Sequence, residues 1–519
     1  MVKLKVKVLG IEAGDKPIAV LHEEDAADLG VSVLGRVTLK DGGAEMVAVV
    51  NTTRSAVQKG SIGVFERIAT GMNIANGAEL EVNPAKYPTS VNYIRSKMRN
   101  RPLSYEECLE IVKDTVAGRL SEIELTAFVT ALNSFGMSME ESVSMARSMV
   151  ETGRKIEFNA PYVVDKHSIG GVPGDKTTLL VVPIVAACGL TIPKTSSRSI
   201  TSAAGTADRA EVLMPVTLSA DEMKAVVNKT GGCIVWGGAL ELAPADDIFI
   251  RIEHPLSIDP LMMPSIMSKK KAVGSEYLVI DIPCGRGTKL KTIGDADMLA
   301  KDMIEMASRL GIKAECAITY GEQPIGHTIG PALEAREALE IIMRKRAVPD
   351  ALDKAKHIAS MLLNMVGKDG PALVDEALKS GKAEEKLRQI IFEQGGDHEV
   401  QPSDIEVGKY GLDIHADRKG VVLWANNHVF ASVARAAGSP SDKGAGIYLY
   451  KKVGDPVDKD EKLFTIYADK ARKLKRAKDA LEEEEGEEEG AMSVGDRREM
   501  LVHAVRENPL YKKSFILER

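Results

Sequence analysis

Four stretches of the sequence gather groups suited to holding anions. Residues 166–178, KHSIGGVPGDKTT, follow an apolar run and set a lysine, a histidine, hydroxyls and many backbone N–H groups side by side. Exposed amides and a helix start direct their dipoles at a phosphate, lysine supplies charge, and Ser or Thr donates hydrogen bonds. The run approaches the loop GxxxxGK[ST], but Asp175 stands where the glycine before the lysine belongs and no matching acidic strand follows. A nucleoside-triphosphatase is therefore a poor fit. Residues 195–211, TSSRSITSAAGTADRAE, crowd Ser196, Ser197, Ser199, Thr201, Ser202 and Thr206 around Arg198. Alone they read as a Ser-rich turn and helix cap; one crossover after the first loop, they read as a second wall of an oxyanion site. Residues 244–274 carry Asp246, Asp247, Arg251, Glu253, Asp259, Ser265, Ser268, Lys269 and Lys270. The plain alternative is a helix with surface charges, which is the expectation for Glu253 and Lys271. The fourth stretch, PCGRGTK (283–289), is another Gly-rich loop after a strand, with Arg286 and Lys289.

The rest of the chain must position these loops. It has 519 residues, 44% hydrophobic and 28% charged, which implies three to four domains with real cores. A net charge of −7 argues against a chain-wide grip on nucleic acid, so any anion is held by a local cluster. Five scattered cysteines without a CxxC pair suit reduced thiols and give no zinc site. No carboxylate cluster or His pair has metal-ligand spacing. The start, MVKLKVKVLG, lacks the apolar core of a signal peptide, and the longest apolar stretch, 179–190, is too short to span a membrane. It is expected to be a buried strand and helix start in a cytoplasmic protein.

Residues 1–86 read as a β-rich module: short alternating runs divided by Gly and Asp turns, resembling small double-psi barrels found in assembly-forming proteins. Three capping boxes, at Ser104, Ser121 and Ser138, predict consecutive helices, the third ending at Gly153. From Tyr162 strands, Gly-rich loops and amphipathic helices alternate, which predicts an α/β sheet with ligands at the strand C-terminal ends. After about residue 403 strands return, in runs resembling a hairpin of a biotinyl or lipoyl barrel. The basic run 470–478 and acidic run 482–489 are expected to form a solvated helix or charged linker.

With the motifs in view, KHSxGGVxGDxTT, SxRxxxxxxGTxDxxE and SIxSKK resemble the family of thymidine and pyrimidine-nucleoside phosphorylases. The resemblance covers about residues 88–465. The added N-terminal module and the loop SSRSITSAAGTADRAEVL are similar instead to the archaeal branch, whose enzymes release adenine from AMP and make ribose 1,5-bisphosphate. It implies a multidomain α/β architecture in four parts. These are an N-terminal double-psi-like β-barrel (1–86), a small helical bundle (87–160, completed by 240–272), a mixed α/β phosphate-binding domain (161–239 and 273–402), and a C-terminal α+β barrel-sandwich-like domain (403–519) with a charged linker at 470–490 and a tail. It further implies a pentosyltransferase acting on AMP and other nucleoside 5′-monophosphates, with inorganic phosphate as co-substrate. No cofactor, metal, nucleic acid or membrane is implied; a homodimer or larger homo-oligomer is.

Carried over position by position, Lys166, Ser168, Thr178, Ser196 and Thr206 are similar to residues holding the attacking phosphate. Gly171, Ser197, Arg198, Ser199, Ile200, Thr201 and Ser202 match a nucleotide-binding wall. Arg251, Ser265 and Lys269 match base contacts, Asp259 the proton donor, and Lys289 a nucleotide contact. The segment from Asp259 to Ser265 is about two residues shorter than the usual archaeal spacing. For Asp259 to act as an acid it must keep a proton, which burial or neighbouring carboxylates would supply. Arg198 and Lys289 are candidates for a substrate 5′-phosphate. His167 is expected to pack against the base or satisfy a backbone carbonyl. The rivals are a pyrimidine-nucleoside phosphorylase, a phosphoribosyltransferase, and a non-catalytic nucleotide-binding assembly module.

Overall fold

The computed structural model describes residues 2–14, 16–199, 202–485 and 490–495. In its first strand, Val2–Val8 (β1), apolar Leu4 and Val6 point inward while Lys3, Lys5 and Lys7 face solvent, the period of two that a closed sheet requires. It is followed by Ile18–His22 (β2), the helix Glu23–Leu29 (α1), Arg36–Asp41 (β3), Ala44–Thr53 (β4), Ser61–Val64 (β5), the short helix Glu66–Gly71 (α2) and Glu79–Pro84 (β6). The strands close into a barrel in the order β1-β5-β2-β4-β3-β6, around a core that includes Leu21, Leu39, Ile62 and Leu80.

The helical region begins with Ser90–Lys97 (α3), Tyr105–Val116 (α4), Glu122–Phe135 (α5) and Met139–Thr152 (α6). All three expected capping boxes form: Ser104, Ser121 and Ser138 each accept the N–H three residues on, and Glu107, Glu124 and Glu141 reach back. Glu141 also receives the buried Lys97 ammonium at 2.7 Å, joining α6 to α3.

Next come Val164–Ser168 (β7), Thr177–Ala187 (α7), Ile192–Ser196 (β8), Thr206–Ala210 (α8), Ala220–Thr230 (α9), Gly232–Trp236 (β9), Pro244–Leu256 (α10), Met262–Ala272 (α11), Tyr277–Cys284 (β10), Ile293–Arg309 (α12) and Lys313–Tyr320 (β11). β10 lies between β11 and β7, β8 pairs with β9, and a bridge from Val163 to Thr191 joins the two groups; every pairing is parallel. These strands therefore all end on one edge, where the loops carrying the chemistry emerge. The stretch 179–190, expected to include a strand, is mostly α7. Every residue from Thr177 to Ala186 is buried, because α7 is wedged between the sheet and further helices. α10 and α11 leave the sheet and return to the helical region, where Phe249 and Leu261 join Phe128 and Met145 in one core.

The chain continues through Thr328–Ile329 (β12), Pro331–Ile342 (α13), Pro349–Met365 (α14), Gly370–Lys379 (α15) and Lys382–Glu393 (α16). It goes on with Tyr410–His415 (β13), Gly420–Ala425 (β14), Asn427–Ala437 (α17), Gly446–Leu449 (β15), Pro456–Val457 (β16), Lys462–Ala468 (β17), Ala471–Glu485 (α18) and Met492–Gly495 (β18). Two sheets, β12-β15-β17-β13 and β16-β14-β18, cover a core in which Phe430 and Phe464 meet edge-on at 5.2 Å. The charged segment from 471 to 485 is not a linker. It is α18, whose Ala477 and Leu481 are buried in this C-terminal core, so two apolar residues at helical spacing outweigh the surrounding charge. Residues 486–489 and the C-terminal tail lie outside the described residues.

Candidate active site

The first anion loop leaves β7 and enters α7. Lys166 and Thr178 are buried at its two ends. The Ser168 hydroxyl donates to Asp281 of β10 at 2.7 Å and accepts the Gly170 N–H at 3.3 Å, so the bend is fixed by its own side chain. Gly174 (φ 75°) lies where a Cβ would stand 2.5 Å from the Ile325 carbonyl oxygen and 2.6 Å from that of Thr328, which leaves room for glycine alone. The hydroxyls of Thr177 and, at the end of β8, Ser196 are buried and have no hydrogen-bond partner among the described residues. Buried hydroxyls are nearly always paired, so these two are donors suited to an anion.

Charge around the loop is dense. Lys354 of α14 lies 2.7 Å from Asp281 and 3.4 Å from Asp175. Arg209 pairs with Glu334 of α13 at 2.9 Å and donates to the carbonyl oxygens of Ala204 and Asp175. Burial raises the Asp175 carboxyl, but Lys354 and Lys166 hold it well below the usual carboxylate range. Burial pushes the Lys166 ammonium below its ordinary value, with Asp175 and Asp281 opposing. Burial, and then the charges of Lys270 and Lys194, push the partly buried His167 ring well below its ordinary range.

The second loop is organised by Asp208, which accepts the N–H groups of Ser199 at 2.7 Å and Gly205 at 2.9 Å. Ser199 donates to the Ser202 carbonyl oxygen, and the Ser197 carbonyl accepts the Ala207 N–H at 3.2 Å. Thr206 opens α8. Arg198, the candidate for a 5′-phosphate, is already engaged. Its guanidinium bonds both Glu211 oxygens, at 2.6 and 2.8 Å, and lies over the Trp236 ring. Ile200 and Thr201 lie outside the described residues.

On α11, Ser265 and Lys269 share one oxygen of buried Asp246 of α10, at 2.8 and 2.5 Å. Arg251 on α10 is exposed. Asp259 sits in the turn between α10 and α11, half exposed, with its carboxylate 3.6 Å from the Lys289 ammonium of the opposite loop. The burial expected around this acid is absent. Lys289 in turn abuts the first loop: a Cβ on Gly171 (φ 94°) would stand 3.3 Å from the Lys289 backbone nitrogen. Contacts thus link Asp259, Lys289, Gly171 and the Ser168 bend, while Ser265 groups with Lys269. α11 is pinned to the sheet by Lys270 on buried Asp165 of β7, at 2.8 Å, with Lys194 3.8 Å from the other oxygen.

Several residues packed around these loops escaped sequence reasoning: Asp165, Lys194, Asp281, Lys354 and Arg209. Asp281, within YLVIDIPC, and Asp165, within VVDKHS, did leave a signal, a charge inside an apolar strand. Glu253, expected at the surface, is buried.

Known proteins match this arrangement in order. Residues 91–153 fit the glycosyl transferase family helical bundle domain, 160–384 its a/b domain, and 426–485 the pyrimidine nucleoside phosphorylase C-terminal domain. A protein of Thermofilum pendens named AMP phosphorylase is 45% identical over 518 residues, covering 100% of both chains. AMP phosphorylases of Thermococcus sibiricus and Pyrococcus furiosus are 47% and 46% identical, over 92% and 91% of this chain and 95% of each of theirs. The chain belongs to the AMP phosphorylase family. Membership extends to the barrel at the front, since the Thermofilum relative aligns through it. No helix among the described residues is long and apolar enough to cross a membrane.

Proposed function

We propose that the protein cleaves AMP, and other nucleoside 5′-monophosphates, with inorganic phosphate to give the free base and ribose 1,5-bisphosphate. The observation that supports this most is the orphaned, buried Ser196 hydroxyl at the end of β8, in a sheet whose β7 carries the buried Lys166 loop, with Asp259 reaching Lys289 of the loop after β10. Lys166, Ser168, Thr178 and Ser196 hold the attacking phosphate below C1′. A phosphate oxygen forms the new bond to C1′ as the C1′–N bond breaks, and the dianion stabilises positive charge on the ribose. Such positioning contributes up to about 7–11 kcal/mol of barrier lowering. Thr206 joins the phosphate donors; Gly171, the 197–202 wall and Lys289 take the nucleotide, and Arg251, Ser265 and Lys269 the base. Asp259 gives its proton to the leaving base nitrogen, an acid contribution of about 10²–10⁴-fold. Since Asp259 is half exposed, it acts once a bound nucleotide fills the space beside Lys289.

The reaction uses no metal or organic cofactor. We further propose a cytoplasmic homodimer joined through the helical region and extended by a double-psi-type N-terminal barrel. The test is incubation with phosphate and either AMP or thymidine. Adenine and ribose 1,5-bisphosphate from AMP, in the presence of EDTA, are expected. Rapid thymidine cleavage with AMP inert would overturn the proposal, and AMP binding without base release would leave only a nucleotide-binding module.

A further inference from the structure

Glu253 is a buried acid near the proton-donating turn that this mechanism leaves unused. It lies near the end of α10, 4% exposed. Its Oε1 accepts the Leu261 N–H at 3.3 Å, and its backbone oxygen accepts the Ile258 N–H at 3.2 Å. These two bonds bracket the turn that runs from Ser257, in the left-handed region at φ 53°, to Leu261, and Asp259 stands between them. We infer that Glu253 is a positioning residue for the proton-donating turn: through the Leu261 amide, its carboxyl sets where Asp259 stands against Lys289 and the leaving base. The inference rests on Asp259 being the acid of the proposed reaction.

The charge environment agrees. Burial, and then the neighbouring Asp259, pushes the Glu253 carboxyl up to about 7. The charged groups acting on it are Asp259 in the turn, Asp246 on the same helix and Lys269 on α11. Helices α4, α5 and α6 meet α10 with apolar side chains such as Ile111, Phe128 and Met145. A neutral Glu253 accepts the amide without charging the core; an ionised one places a negative charge against the turn that carries Asp259.

Two variants separate positioning from mere support. Glu253→Gln keeps the acceptor and cannot ionise, whereas Glu253→Leu removes the acceptor. Glu253→Gln is expected to turn over AMP at about pH 6 within roughly threefold of wild type, and the alkaline limb of its kcat profile to move by about half a pH unit or more. Glu253→Leu is expected to lose about tenfold or more in kcat, with KM for AMP and phosphate changed less than about threefold. A substrate-free arm follows the unfolding midpoint. The raised folded value means that the stability Glu253 contributes is complete below the ordinary carboxylate range and lost as pH rises through about 7. Wild type should therefore lose stability relative to Glu253→Gln over that window.

A kcat for Glu253→Leu within about threefold of wild type, or a Glu253→Gln profile superimposable on that of wild type, overturns the inference. If Glu253→Leu does not fold, the Glu253→Gln profile decides. An Asp259→Asn variant as active as wild type removes the inference but leaves AMP cleavage standing. A wild type inert towards AMP removes both.

Discussion

Replacing Lys176 by Met would release the phosphate loop from behind. Lys176 immediately precedes Thr177 and Thr178 and is fully buried. Its ammonium donates to Glu337 Oε2 at 2.5 Å and to the Ile325 carbonyl oxygen at 2.9 Å. Glu337 also accepts the Thr328 hydroxyl at 2.9 Å and the His327 N–H at 3.1 Å. One ammonium thus ties the start of α7 to the 325–328 segment and to α13. Methionine fills similar space but leaves the Ile325 carbonyl and Oε2 of Glu337 buried without the ammonium, the carboxylate's remaining cation being Arg346, 3.4 Å from Oε1. Breaking one side of such a pair costs about 3–5 kcal/mol, which for a unit of this size lowers the unfolding midpoint by about 6–20 °C. Trp236, at the end of β9 in the same α/β unit, provides the fluorescence signal. The double variant Lys176→Met/Glu337→Leu removes both charges and should recover about 2 kcal/mol or more of that loss. The acid response gives an independent reading. Burial raises the Glu337 carboxyl, but Lys176 and its fellow donors hold it below its ordinary value. The stability from this pair is then present above the ordinary carboxylate range and lost as pH falls through the folded value, a loss the double variant should lack. A single variant within about 1 kcal/mol of wild type, or a double variant no better than the single, would refute the reasoning.

Other outcomes are expected of the site itself. Asp259→Asn should lower kcat by about 10²–10⁴-fold while AMP affinity, measured calorimetrically, changes little. Arg198→Ala should weaken AMP more than adenosine and, because Arg198 holds Glu211, should also loosen the second loop, read as faster hydrogen exchange at Ser199. The Arg198 hydrogen bonds bring Glu211 down to about 2, so stability from this pair is present above the ordinary carboxylate range and lost as pH falls through about 2. Glu211→Gln should flatten that acid loss in a melting series. Gly171→Ala must adopt φ 94° and press on Lys289, so KM for AMP should rise about tenfold while phosphate affinity falls less.

Local chemistry made much of the molecule legible in sequence. The capping boxes at Ser104, Ser121 and Ser138 are satisfied within four residues, and the alternation of KLKVKV fixes which side of β1 faces inward. Neither needed a distant partner. The anion loops were readable for the same reason, since Gly, Ser, Thr and Lys act there largely with adjacent backbone. Distant partners were the part that no local pattern carries. Nothing local announced that Glu211 would hold the Arg198 guanidinium, and Glu253 read as solvated until the 257–261 turn covered it. The segment 471–485 read as a solvated helix or a linker because its charge is local, whereas the core that Ala477 and Leu481 of that helix enter exists only once strands from β12 to β17 have paired. Composition and spacing thus determined which groups the cleft contains. The tertiary structure alone decided which of them are buried and paired, because both depend on residues far apart along the chain meeting in one place.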